Sequence, residues 1–372
     1  MKKILFVIGT RPEAIKLCPV IAAFKNNSSF QCIICSTGQH KELLTQVLKS
    51  QGQELDYDLQ LMQPDQSLSY LTSQILIQLR ELLINIEPDL LFVQGDTTSA
   101  MAAGLAGFYY GCRVGHVEAG LRTYNTSNPY PEEVNRQMLG RISTYHFSPT
   151  LSAYGNLIQE KVDRNNIAIV GNTSVDALMQ KIEQLKNSKP PRLQAILSKI
   201  ETQSTLILAT THRRENQGPQ LLAICQALKT ISDIENVNVL IPVHPNPKTK
   251  TIITEHLGGS QNIQLLEPVD HLTMVGLIQK ATIVITDSGG VQEETPYLGI
   301  PTIVTRINTE RTESCVSNNA ILIGPDKGKI IREVQKLLSD KAYYLSRSQV
   351  SAPYGTGDTA QKILDFIKEK ML

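Results

Sequence analysis

A chain of 372 residues is long enough for about two domains, each with its own core. Its 36 Lys plus Arg offset 35 Asp plus Glu, and no basic tail or stripe breaks the balance, so no nucleic-acid partner is expected. The first apolar run ends at Gly9 and Arg11, short of a signal-peptide core. No apolar segment reaches the roughly 20 residues that span a bilayer, so a cytoplasmic protein without a membrane partner is expected.

In chain order, short β-branched runs bounded by Gly, Pro or Asp alternate with longer periodic stretches. That is the pattern of an α/β protein whose parallel sheets carry helices on both faces. A first series predicts strands over 3–8, 31–35, 90–93, 114–117, 146–148 and 167–170. A second predicts strands over 205–208, 239–243, 263–266, 282–286 and 302–305, with helices such as 220–230 and 272–280 between them. The expected division is a domain over 1–170 and another over 171–355, with the linker-like run Lys186–Pro191 near the break. The last helix, predicted over 359–370, follows Pro353-Tyr-Gly-Thr-Gly357, whose glycines suit a sharp turn, so 356–372 is expected to rejoin the first domain. The six cysteines lie scattered in apolar stretches, as reduced core thiols do. Cys32 and Cys35 fall on one strand, where positions three apart point to opposite faces.

Ligands of open parallel sheets collect at the carboxyl ends of the strands, and the unusual runs of this chain fall there. His212 lies in Ala209-Thr-Thr-His-Arg-Arg-Glu-Asn216, where a histidine and two arginines meet at a strand-to-helix junction, an anion-handling set. Gly9-Thr-Arg-Pro-Glu-Ala-Ile-Lys16 occupies the same context in the first half, with Arg11 and Lys16 suited to a diphosphate; a surface ion pair with Glu13 is the structural alternative. Ser288-Gly289-Gly290 opens a helix as a phosphate cradle, or else as a plain helix cap. Glu294, one turn on, suits a ribose diol. Asp96, Glu118 and one of Glu132/Glu133 are the carboxylates for acid/base work. Consecutive helical residues point about 100° apart, so at most one of that pair faces the site. The alternative for them is a helix first turn in which Glu132 pairs with Arg136. The histidines show no ligand spacing, so no metal site is expected.

Together with Gly95-Asp-Thr-Thr-Ser99, His116-Val-Glu-Ala-Gly-Leu-Arg122, Pro131-Glu-Glu-Val-Asn-Arg136, Pro242-Val-His-Pro-Asn-Pro247 and Thr286-Asp-Ser-Gly-Gly-Val-Gln-Glu-Glu294, these runs resemble the bacterial non-hydrolysing UDP-N-acetylglucosamine 2-epimerases over nearly the whole chain. The resemblance implies two Rossmann-like domains facing a cleft, the GT-B arrangement, in a homodimer without a cofactor. It implies that UDP-GlcNAc and UDP-ManNAc interconvert through loss of UDP to 2-acetamidoglucal and its return, with UDP-GlcNAc, UDP-ManNAc and UDP as the small-molecule partners. By this resemblance Asp96, Glu118 and Glu132 carry protons and His212 works beside the diphosphate. Arg11, Ser288, Gly289 and Gly290 hold phosphates, and Lys16 supports them. Glu294 holds ribose, Arg311 closes over the nucleotide, and backbone around Met274 reads uracil. Gln39 and His244 match positions that serve a second, activating UDP-GlcNAc.

The chain departs from the family pattern where relatives read Thr-Glu-Arg-Pro-Glu and then Ala-Gly-Thr: here stand Thr309-Glu-Arg-Thr-Glu313 and Ser317-Asn-Asn319. Competing readings are a 2-epimerase of a modified UDP-sugar, a hydrolysing epimerase, a GT-B glycosyltransferase and a non-catalytic UDP-sugar sensor. The complete Arg-Pro-Glu-Ala and His-Val-Glu-Ala-Gly-Leu-Arg runs and three carboxylates favour the first-named enzyme over these.

Overall fold

The computed structural model describes residues 1–38, 41–63, 66–200, 204–213 and 216–372. By contacts within the chain, Met1–Ala177 and Tyr354–Leu372 form one unit and Leu178–Pro353 another. The first unit runs β1 (Lys2–Ile8), α1 (Arg11–Lys25), β2 (Phe30–Ser36), α2 (Lys41–Ser50), β3 (Tyr57–Asp58), α3 (Leu68–Ile86), β4 (Leu90–Gln94) and α4 (Thr98–Tyr110). It continues with β5 (Arg113–Val117), α5 (Glu132–Ile142), β6 (Tyr145–Ser148), α6 (Leu151–Gln159), β7 (Ile167–Ile169) and α7 (Thr173–Asn187), inside which the change of unit falls. The second unit holds α8 (Pro191–Leu197), β8 (Thr205–Thr210), α9 (Pro219–Ser232), β9 (Val237–Pro242), α10 (Pro247–Leu257), β10 (Ile263–Leu266), α11 (His271–Lys280), β11 (Ile283–Thr286) and α12 (Gly289–Leu298). Then come β12 (Thr302–Val304), α13 (Thr312–Val316), β13 (Ala320–Leu322), α14 (Lys327–Ser339) and α15 (Lys341–Arg347), and α16 (Thr359–Met371) closes the chain in the first unit.

All strand pairs are parallel, in the orders β3-β2-β1-β4-β5-β6-β7 and β10-β9-β8-β11-β12-β13. Each unit is therefore a Rossmann-like, doubly wound sheet, and each reverses its winding once, between β1 and β4 and between β8 and β11. Such a reversal leaves a crevice at the strand ends, because the helices on its two sides cover opposite faces. Register brings Ile4 beside Leu90 and Ile283 beside Ile207, so the loops that begin at Gly9, Gly95, Thr211 and Asp287 line these two points.

The strands at the reversal are apolar along their central residues, Ile4–Ile8, Leu90–Val93, Leu206–Ala209 and Ile283–Ile285, as strands covered on both faces must be. In the first unit Phe6 stacks on Phe92 at 5.1 Å between ring centres, and Phe24 and Phe147 meet Phe92 at 5.5 and 5.7 Å. The closing helix joins this core: Phe366 lies 5.6 Å from Phe147 and 5.8 Å from Tyr145. Its return is fixed by the Asn172 N–H donating to the Tyr354 carbonyl at 2.8 Å, by the Ala360 N–H donating to Asp176 at 2.9 Å, and by positive φ at Gly355 and Gly357. No described helix is long and apolar enough to cross a membrane.

The predicted strands all occur, with ends moved by a residue or two. Two edge strands escaped prediction, β3 and β13, which are two and three residues long and carry no alternation to read.

Gly120, just after β5, has φ of +90°, and a Cβ there would lie 2.2 Å from the Ala153 carbonyl oxygen. Backbone strain and a backbone wall coincide, so Gly120→Ala is expected to cost about 3 kcal/mol or more of unfolding stability. Gly111→Ala, at φ +84° in open space, is expected to cost only about 1 kcal/mol. Urea titrations compare the two, and equal losses would contradict the steric account.

Candidate active site

At the carboxyl end of β1 the chain turns through Gly9 and Thr10 into α1. Buried Glu13 reaches back to that turn, accepting the Gly9 N–H at 2.7 Å, the Thr10 N–H at 2.5 Å and the Thr97 hydroxyl at 2.5 Å. It is a capping-box residue linking the starts of α1 and α4, which corrects the alternative of a surface ion pair. Burial pushes its carboxyl up to about 7 against the pull of these donors. Arg11, the first residue of α1, is half-buried, and Lys16 is buried one turn further on.

Lys16 donates to Glu118, as do the amides of Gln94 at 3.0 Å and Asn172 at 3.2 Å. Glu118 is itself buried and sits at φ 69°, the left-handed region that residues other than glycine rarely enter. Three partners from three elements hold a strained carboxylate in place, the arrangement expected where strain serves a function.

After β4, positive φ at Gly95 turns the chain, and its carbonyl accepts from His116 Nε2 at 2.7 Å. Burial drives the His116 ring down to about 3, so it stands neutral as a donor. Asp96 then meets Arg136, whose Nη2 lies 2.6 Å and Nε 2.8 Å from Asp96 Oδ2. Arg136 Nη1 also donates to fully buried Glu133 at 3.0 Å, and Glu133 accepts the Thr123 and Tyr124 N–H groups. Arg136 thus pairs with Glu133 and with Asp96. Glu133 is committed to holding the 123–128 loop, and Glu132 stands half-buried at the first position of α5. Arg122, at the end of its conspicuous run, forms a bidentate pair with Glu160 at 2.7 Å and is structural.

The second unit is organised by Asp287, completely buried after β11. Its carboxylate accepts the Thr211 hydroxyl at 3.0 Å, the His212 and Arg213 N–H groups at 3.1 Å and the Asn216 amide at 2.9 Å. His212 Nδ1 lies 3.2 Å from it as well. Burial raises this carboxyl, but the His212 ring, the Arg213 N–H and Asn216 more than reverse that and hold it well below the usual range. Asp287 is therefore not the cap of α12. Ser288 makes no side-chain cap bond either, so the first N–H groups of that ten-residue helix are left for another acceptor, as a phosphate cradle requires.

The two glycines differ. A Cβ on Gly289 would lie 3.1 Å from the Arg311 guanidinium, whereas one on Gly290 would meet nothing closer than 3.9 Å. Gly289 thus admits Arg311 to the start of the helix. Arg311 is itself held by Glu293 at 3.0 Å and by Glu310, which also pairs with buried Arg306 at 2.9 Å. The exposed His212 ring stacks on exposed His244, with ring centres 5.7 Å apart. Glu294, expected at the ribose, accepts from His271 Nε2 at 2.7 Å, and half-buried Met274 lies one turn along α11 from His271. Gln39, read from the sequence as an activator contact, and Arg214 lie outside the described residues. Among the described residues no group of three His, Cys, Asp or Glu is placed to hold a metal ion.

The family model described as UDP-N-acetylglucosamine 2-epimerase matches residues 22–368. A curated relative of that name from Salmonella borreze is 42% identical over 370 residues, covering 98% of each chain. This chain belongs to the UDP-N-acetylglucosamine 2-epimerase family. Among solved structures, the Neisseria meningitidis UDP-GlcNAc 2-epimerase bound to UDP-GlcNAc superposes with a TM-score of 0.96 at 38% identity, over 99% of this chain and 100% of that one. A Staphylococcus aureus MnaA structure with UDP gives 0.94 at 36%, over 100% and 97%.

Within the family pattern, the altered segment is absorbed locally. Asn318 adopts φ 67°, the left-handed conformation that Asn tolerates best among residues other than glycine. Buried Asn319 donates to the carbonyls of Arg347 and Gln349 at 3.1 and 2.7 Å and accepts from Ser317 and Ser351, tying the segment down. Residue-by-residue reading missed Asp287 as an organiser, Arg136 as the partner of Asp96, and His271. Asp287 and Arg136 lay within the quoted runs, but only tertiary contacts reveal whom they serve.

Because the folded value of Glu13, about 7, lies above its ordinary 4.5, its contribution to stability is complete below 4.5 and is lost as pH rises through 7. Glu13→Gln removes that loss. The variant is expected to gain on the natural chain by about 3 kcal/mol between pH 4.5 and about pH 8 in paired urea titrations. Parallel pH profiles would contradict the assignment.

Proposed function

We propose that this chain interconverts UDP-GlcNAc and UDP-ManNAc without hydrolysing them, for bacterial surface polysaccharide synthesis. The observation that carries the reading is Glu118, a buried carboxylate in a strained backbone conformation that Lys16, Gln94 and Asn172 fix at the carboxyl end of β5. Epimerisation at C2 requires the C2–H bond to break with the proton passing to a base. The C1–O bond breaks in concert or next, UDP departs with the bonding pair, and a C1–C2 double bond remains. UDP then adds back to C1 while a proton reaches C2 on the opposite face, so two groups must flank that carbon. Asp96, Glu118 and Glu132 are the carboxylates assigned to these transfers, with Arg136 holding Asp96.

The leaving diphosphate develops charge that preorganised donors stabilise best. Arg11, the α12 cradle at Ser288, Gly289 and Gly290, and Arg311 are assigned to the phosphates, with Lys16 in support. His212 stands beside the α12 cradle: Asp287 takes its Nδ1 side, which turns Nε2 outward for the phosphate site. Glu294 is assigned to ribose and the backbone near Met274 to uracil. His244, stacked on His212, is the described residue through which a second, activating UDP-GlcNAc would act. A homodimer accompanies this reading: α3 packs on α4 and α4 on α5, and these helices leave Ile77, Ile84, Phe108, Tyr109 and Met138 exposed.

Incubation with UDP-GlcNAc in heavy water, followed by proton NMR, is expected to give UDP-ManNAc with deuterium at C2 in both sugars. Glu118→Gln is expected to slow exchange about 10²- to 10⁴-fold. Binding of UDP-GlcNAc without exchange or product would contradict the reading for this sugar.

A further inference from the structure

We infer that His271 is a positioning residue for nucleotide recognition, setting the discrimination between a ribose and a deoxyribose nucleotide through Glu294. The inference rests on the assignment of Glu294 to the ribose diol.

Glu294 lies on α12, a little over one turn after the phosphate cradle, and His271 opens α11, one turn before Met274. Their bond, 2.7 Å from His271 Nε2 to Glu294 Oε1, joins the helix assigned to phosphate and ribose to the helix assigned to the base. Both side chains are largely buried, at 11% and 9% exposure, so water competes weakly for the bond. A carboxylate accepts only, so Nε2 carries the proton. With Oε1 engaged, the rotamer of Glu294 is fixed and Oε2 is left to accept from a sugar hydroxyl. A carboxylate on a flexible glutamate otherwise loses rotamer freedom when it takes a ligand, and a buried neighbour that has already fixed it reduces that loss. His271 never touches the reacting carbon in this scheme, so it acts on binding and leaves chemistry alone.

The test is calorimetric binding of UDP, 2′-deoxy-UDP and 3′-deoxy-UDP to the natural chain and to Glu294→Gln, His271→Leu and His271→Gln, with KM and kcat for UDP-GlcNAc. His271→Leu is expected to weaken UDP about tenfold, the weight of one charge-assisted hydrogen bond, and to bring UDP and the deoxy forms close together. KM should rise with kcat within about twofold. His271→Gln, which keeps an N–H donor near the Nε2 position, is expected to restore most of the discrimination, which a loss of packing alone would not. If Glu294→Gln removes discrimination but His271→Leu keeps it, the role of His271 is overturned while the ribose assignment stands. If the natural chain and Glu294→Gln both bind the deoxy forms as well as UDP, the ribose assignment fails, and the role of His271 with it.

Discussion

A single buried carboxylate, Asp287, decides the form of the second unit's strand-end loops. A charge with no solvent exposure is tolerated only when it is fully paired, and here the pairing comes from the loop after β8 rather than from the helix that follows Asp287. Two consequences come from the same set of bonds. His212 is turned so that one ring nitrogen faces Asp287, and the start of α12 keeps its N–H groups unclaimed by a side-chain cap. An ordinary capping aspartate at this position would have filled the cradle and released the histidine.

The first unit follows the same logic with different parts. Glu118 stands where β5 ends, in a conformation that needs support, and the support comes from Lys16 on α1, Gln94 on β4 and Asn172 just before α7. Asp96 is aimed by Arg136, which Glu133 aims in turn. Asp96 and Glu118 thus sit just after the carboxyl ends of the neighbouring strands β4 and β5, and residues from other parts of the unit hold each of them.

Much of this was legible in the chain. Strand positions follow from short apolar runs alternating with longer periodic ones, and the chemistry-bearing runs fall after strands because a doubly wound sheet opens only there. Of the residues that the runs nominated, Asp96 follows β4, Glu118 follows β5, His212 follows β8 and Ser288 follows β11. What stayed hidden was pairing. Glu132 and Glu133 are indistinguishable by type, and only the loop at 123–128 selects Glu133 for burial. Glu13, for which a surface ion pair was the alternative, closes the capping box of α1 and accepts from the Thr97 hydroxyl at the start of α4. His271 carried no spacing signal because its partner lies 23 residues away on another helix. Local periodicity reports which face is buried, whereas a long-range hydrogen bond leaves no periodic trace.

The central claim is that C2 inversion proceeds through departure and return of UDP, held meanwhile by the His212 and α12 cradle. A UDP-GlcNAc sample labelled with heavy oxygen in the bridge between C1 and the β-phosphorus tests it directly. Phosphorus NMR is predicted to show the label moving into the non-bridging positions at a rate comparable to C2 exchange, because the freed β-phosphate rotates before adding back. Exchange at C2 with the label retained in the bridge would mean that the C1–O bond never breaks, and the elimination account would fall.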